Sequence, residues 1–155
     1  MPIIISITYS PPVEVPRPKD QYHRVSVSQA NLLAGHGIEG DRKGKWANRQ
    51  LNVMSAETLK VLHDEGFQTA PGELGEQIVI DGIDVDALPV GSQIQLGSAA
   101  IIEVTMPRTG CDRFEHIQGK FKGLVRGRLG AMARVIAGGP IAIGDPVARL
   151  SGPFR

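Results

Sequence analysis

Apolar residues in this chain come in short runs, many alternating with polar ones and most broken by Gly, Pro or charge. A period near two is the signature of strands with one face buried. It predicts strands at Ile3–Thr8, Arg24–Val27, Gln50–Met54, Gln77–Ile80, Gln93–Leu96, Ala100–Thr105, Ala131–Ala137, Ile141–Ile143 and Val147–Leu150. The joints "AGGPI" and "GDPV" between the last three have tight-turn chemistry, because Gly supplies positive φ and Pro fixes its own. One stretch has helical spacing. Ser55 is a candidate N-cap, Glu57 falls in the first turn, Leu59 and Leu62 share a face, and Gly66 follows as a stop, which predicts a helix at about Ala56–Asp64. A second helix over Lys120–Arg128 is a weaker expectation, because Gly123 and Gly127 fall inside it. The pattern is mostly β, a closed barrel or a sandwich with one or two short helices attached. "YSPPVEVPRPKDQ" (9–21) is a Pro-rich surface loop and not a domain boundary.

A length of 155 residues fits one domain over 1–155. Such a chain buries roughly 70% of the surface it exposes when unfolded, enough for a core without covalent staples. It has a single cysteine, so no internal disulfide can form and nothing points to an oxidising compartment. The apolar start, MPIIISITYSPP, lacks a basic leader and runs into prolines, and no apolar run approaches the ~20 residues of a membrane span. The expectation is a soluble cytoplasmic protein. Net charge is only +1, but it is unevenly spread. Residues 1–53 carry seven Lys/Arg against four Asp/Glu, residues 54–105 one against nine, and residues 106–155 nine against three. The basic excess is either solvated surface or an anion-binding mouth, and it begins beside the lone cysteine.

That cysteine stands in "PRTGCDRF" (107–114), after a strand, among turn residues, with Arg108 and Arg113 close by. A neighbouring guanidinium favours thiolate, the form that acts as nucleophile and as metal ligand. Cys111 is therefore either a working thiol or a small core residue. Other groupings are weaker. "GHGIEGDRKGK" (35–45) is Gly-rich and basic but lacks P-loop spacing, and its amides with Arg42 could hold an anion. "PGELGEQI" (71–78) places Glu73 and Glu76 in a loop before a strand, a conceivable acid/base pair although loop carboxylates are usually just solvated. The four histidines, His23, His36, His63 and His116, are scattered and make no ligand cluster.

Taken in order, "GIEGDRK", "RQLNVMSAETL", "PGELGEQIVIDGIDVDALPVGSQIQLGSAAIIEVTMPRTGC" and "GRLGAMARVIAGGPIAIGDPV" resemble the MOSC domain, named for the C-terminal domain of molybdenum cofactor sulfurase. The resemblance spans about residues 30–150 and looks like a small stand-alone bacterial-type member, with no pyridoxal phosphate site of its own evident. It implies a β-barrel that binds molybdenum cofactor (molybdopterin). It implies Cys111 as molybdenum ligand or sulfur carrier, in reduction of N-hydroxylated compounds or in sulfur transfer. It carries over Arg42 and Arg49 from the "GDR" and "RQ" positions and Gly75 and Glu76 from the family's "GEN" loop. Gln77 stands where that loop has Asn, Lys43 where His often follows "GDR", and Gly110 where Pro is usual. With Arg108 and Arg113, these residues are expected to form an anion pocket beside Cys111, since Arg holds phosphate oxygens bidentately. An electron-donor or sulfur-donor protein is the implied partner.

Two other readings remain. The chain could carry cofactor or sulfur without turnover. It could also be a small barrel binding RNA or another polyanion through "GKFKGLVRGR" (119–128), although one aromatic, Phe121, offers little to stack bases on and makes nucleic acid the weaker partner.

Overall fold

A computed structural model describes residues 1–11, 24–41 and 49–150, with the backbone alone for Asp112 and Arg113. Eleven strands form two sheets among the described residues. They are β1 (Ile3–Tyr9), β2 (Val25–Ser26), β3 (Gln29–Leu33), β4 (Gly37–Ile38), β5 (Leu51–Ser55), β6 (Ile78–Asp81), β7 (Gln93–Leu96), β8 (Ala100–Pro107), β9 (Ala131–Ala137), β10 (Gly139–Ala142) and β11 (Val147–Arg149). The helices are α1 (Ala56–Asp64) and α2 (Asp112–Gln118). The larger sheet runs β11-β7-β8-β9-β5-β6-β1-β2, and the smaller runs β10-β3-β4. All pairs are antiparallel except β5 with β6, which α1 connects. The large sheet curls until its ends meet. Ile3 bridges Pro146, and backbone bonds join Ile4 N to Asp145 O (3.0 Å) and Val147 N to Pro2 O (3.0 Å). The mostly β, barrel-like architecture agrees with the sequence reading.

Alternation explains the core. In β8, Ala100, Ile102 and Val104 face inward, and in β9 Ala131, Ala133 and Val135 do the same. A register shift between Val104 and Met106 breaks the alternation of β8. Met106 then stands opposite Met132 on the outer face, and Asn52 is the next neighbour across β9. Such bulges re-aim a strand end, and this one lies just before the thiol loop.

Several local expectations change. Ser55 stands at the N-cap position of α1, but its side chain makes no capping bond. Its hydroxyl donates to Ile83 O (2.6 Å) and accepts from Val85 N (2.7 Å), so tertiary partners outcompete the helix's own amides. Over the expected helix at Lys120–Arg128 there is only a 3₁₀ turn at Lys122–Val125, and Gly127 takes a positive φ (77°) incompatible with helix. The helix lies earlier, in α2, which ends at Gly119 in the left-handed conformation. β3 and β4 were not foreseen, and β3 buries one residue, Leu32, as its pattern predicts no core face.

Candidate functional site

β8 pairs with β9 as far as Pro107 opposite Ala131, and Arg108 N then donates to Gly130 O (3.1 Å). Beyond this point the chain leaves the sheet. Cys111 is exposed, carries no disulfide, and immediately precedes α2 in an extended conformation, its carbonyl accepting from Glu115 N (3.1 Å). A buried core position for Cys111 is thus excluded. What fixes the loop is a second, smaller core. Phe114 of α2 is fully buried there with Met54, Leu62, Phe67, Leu74, Val125 and Leu129. The Phe114 and Phe67 rings lie 6.2 Å apart.

The same core fixes the Gly-rich segment 71–77 through Leu74. Arg108, only 8% exposed, donates from a guanidinium nitrogen to the Leu74 carbonyl. At the other end of α2, Gln118 accepts from Gln68 N (2.7 Å) and donates to Gln68 O (2.9 Å). Gln118 Nε2 also donates to Glu73 O (3.4 Å), so contacts to the Gly-rich loop lie both before and at the end of this short helix.

Within the Gly-rich segment, Glu76 is 1% exposed. Its carboxylate accepts from Gly72 N (2.7 Å) and Leu74 N (3.1 Å), closing the turn on itself, while Gly72 and Gly75 supply the positive φ values (82° and 83°) the turn needs. Burial pushes the Glu76 pKa above its ordinary value, opposed by these amides and by the charge of Arg24. Glu73 also serves its own loop, accepting from Ala70 N (2.9 Å). Both carboxylates are thus engaged in turn structure.

A polar bracket joins this segment to β5. Gln77 accepts from Asn52 N (2.6 Å) and donates to Asp41 Oδ2 (2.6 Å), and Asp41 Oδ1 accepts from Ser10 N (3.3 Å). Asn52 Nδ2 donates to Gly75 O (3.0 Å), while Asn52 Oδ1 is enclosed with no hydrogen-bond partner. An enclosed amide oxygen without a donor is uncommon and calls for an explanation.

Of the residues singled out from sequence, Gly75, Glu76 and Arg108 come together, and Cys111 stands at the end of the same loop as Arg108. Arg49 is exposed and precedes Gln50, whose carbonyl accepts from Gln77 Nε2 (3.4 Å). Arg42 lies outside the described residues, and Arg113 is placed by its backbone in the first turn of α2. Asp41, Asn52 and Gln77 were not singled out as a unit. Only Asn52, between Leu51 and Val53, carried a signal, a polar residue inside an apolar run, which is a sign of buried hydrogen bonding. Among the described residues no group of three or more His, Cys, Asp or Glu could hold a metal ion. Two surface clefts, of about 760 and 620 Å³, are lined by other residues. Among the described residues no helix is long and apolar enough to cross a membrane.

The model of the MOSC domain matches residues 24–148. Among solved structures, YiiM from Geobacillus stearothermophilus aligns with a TM-score of 0.74 at 18% identity, covering 97% of this chain and 76% of that one. YiiM from Escherichia coli aligns with 0.71 at 21%, covering 97% and 71%. The YuaD protein from Bacillus subtilis aligns with 0.75 at 17%, covering 95% and 94%. At these identities the likeness is one of fold. A comparison with curated proteins finds no match. With the family model spanning most of the chain and the barrel alike in three solved structures, this chain belongs to the MOSC domain family.

Proposed function

We propose that this protein binds molybdenum cofactor beside the 108–111 loop, with Cys111 as its single protein ligand to the metal, and acts in reduction of N-hydroxylated compounds or in sulfur transfer. The observation that carries the reading is an exposed Cys111 on a loop anchored by a buried arginine to the Gly-rich turn. The residues fit such a group. A thiolate is a soft donor suited to molybdenum bound by sulfur, and the remaining ligands would come from the cofactor. The enclosed Asn52 Oδ1 lacks a donor, which an N–H edge of a pterin would supply. The exposed Arg49, with Arg42 and Arg113, would hold the anionic tail.

When bound, the cofactor would supply the redox or sulfur chemistry. The chain's own work is to bind and orient. Cys111 presents the thiolate. Arg108 ties the two loops together and Glu76 shapes the Gly-rich turn, and neither is assigned to phosphate. Asn52 holds the Gly75 carbonyl in place, and Gln77 holds the Asn52 backbone. The test is molybdenum quantitation on protein from a cofactor-competent host, beside Cys111→Ser. Wild type should retain metal and the variant should lose most of it. Equal metal in both, or none in either, would overturn the reading. An assay with an artificial electron donor then separates an enzyme from a carrier without turnover.

A further inference from the structure

A cleft of about 620 Å³ opens between α1 and the 82–86 segment that follows β6, and none of its lining residues belongs to the thiol loop or to the Gly-rich segment. Three sets of bonds join its walls. Ser55 Oγ donates to Ile83 O (2.6 Å) and accepts from Val85 N (2.7 Å), Glu57 Oε1 accepts from Gly82 N (2.8 Å), and Thr58 Oγ1 donates to Asp86 Oδ2 (3.1 Å). Asp86 Oδ1 also accepts from Gly130 N (2.7 Å). The cleft is therefore preformed, as small-molecule sites usually are, and its volume lies in their range.

Apolar and acidic groups share its lining. Val61 is 50% exposed on the α1 wall, and Ile83 is half-buried on the other. The Gly82 amide holds the Glu57 carboxyl below its ordinary value, so it is ionised at neutral pH. Asp84 is exposed and stands at the N-cap position of the 3₁₀ turn Val85–Ala87, yet its side chain makes no capping bond. Its carboxylate is thus not used by its own turn. Among the described residues the one cation that lines the cleft, Arg128, is already held by both Glu65 carboxylate oxygens (2.7 and 2.9 Å) and by Leu124 O (2.6 Å). The positive end of α1 is offset by Glu57 in its first turn. Solvated acids need no partner, but acids set around exposed apolar groups favour a ligand that carries both a positive charge and an apolar body. We propose that this cleft binds a small organic cation, an ammonium group on an apolar body, with Asp84 and Glu57 meeting the charge and Val61 and Ile83 the body. The site is independent of the cofactor reading. The apolar groups argue against a divalent metal ion, which takes six or more oxygens around it.

The experiment is NMR titration of the full chain with phenethylamine, a cation at neutral pH, beside its neutral and anionic counterparts 2-phenylethanol and 3-phenylpropionate. Calcium chloride and a lysine-rich peptide are the rival probes. Phenethylamine should shift the amides of 57–61 and 82–86, saturate at about millimolar concentration, and bind more weakly as salt is added. The neutral and anionic compounds should bind about threefold or more weakly than the amine. Asp84→Asn should weaken the amine by about the same factor, and Val61→Lys, which sets a cation where the apolar body would lie, should abolish its binding, with melting temperatures unchanged in both. The proposal is overturned if the three compounds bind alike, if the shifts lie elsewhere, if either variant binds as wild type does, or if calcium or the peptide shifts these amides and the amine does not.

Discussion

The barrel core and the smaller core under the thiol loop are built differently. The barrel interior is almost wholly aliphatic, with Ile, Val, Leu and Ala at alternate strand positions. The smaller core has no Ile and takes two of the chain's four Phe. Its members come from β5, α1 and the stretch just after it, the Gly-rich segment, α2 and the turn after that helix. The barrel sets where strands end. The smaller core sets where the loops beyond those ends stand, because Leu74 and Phe114 are the residues by which the two site loops are buried. Frame and site are thus stabilised by separable sets of contacts.

The largest expected effect breaks this separation directly. Phe114→Ala should cost about 3–5 kcal/mol, as large-to-small changes in packed cores do. It should also change the reaction rate of Cys111 with a thiol probe in molecules that remain folded. Ile102→Ala in the barrel should cost about 2–5 kcal/mol and leave the folded-state thiol rate alone. Denaturant melts with parallel thiol kinetics decide it, and the opposite pattern would end the division of labour.

Arg108→Ala comes next. Losing a charge-assisted bond to the Leu74 carbonyl should cost about 1.5–3 kcal/mol, and hydrogen exchange should speed up in 71–77 while β6–β8 stay protected. Uniform loss of protection would mean that Arg108 supports the barrel instead.

Glu76→Gln sharpens the comparison through pH. An amide cannot accept from both Gly72 N and Leu74 N, so the change should cost about 1–3 kcal/mol. Burial raises the folded pKa of Glu76, so the stabilisation from protonating it is present at low pH and lost as pH rises through that pKa. The advantage of wild type over the variant should therefore shrink from acid toward neutral pH. On the outside of the barrel the sign reverses. A hydrogen bond from Gln93, then Arg134, lowers the Glu103 pKa, so its contribution is present above the ordinary carboxylate value and lost as pH falls. Arg134→Ala should accordingly cost under about 1 kcal/mol, less at high salt. Urea melts across pH check both signs, and parallel pH profiles would contradict them.

Much of the barrel was legible because a strand with one buried face writes that face into its own residues, as Ile102 and Val104 do. β3 was not, since QANLL buries only Leu32 and owes its pairing to β10 and β4. α2 was too short for a helical period to emerge, and its first turn has no side-chain cap to announce it. At the site, motif order singled out Cys111, Gly75 and Glu76, and closeness to the thiol singled out Arg108, but neither says what each touches. Glu76 looked like an exposed loop acid and is the buried centre of its turn.

By itself the sequence determined the strand frame, helix α1 and the loop that carries the one thiol, because period, turn chemistry and residue type act over a few neighbours. Only the tertiary structure decided that Arg108 binds the Leu74 carbonyl, 34 residues away in sequence, and that Gln77 bridges Asn52 and Asp41. A buried polar group must find its partner wherever folding brings one within reach, and a carbonyl or an amide carries no mark in the sequence of which side chain that will be.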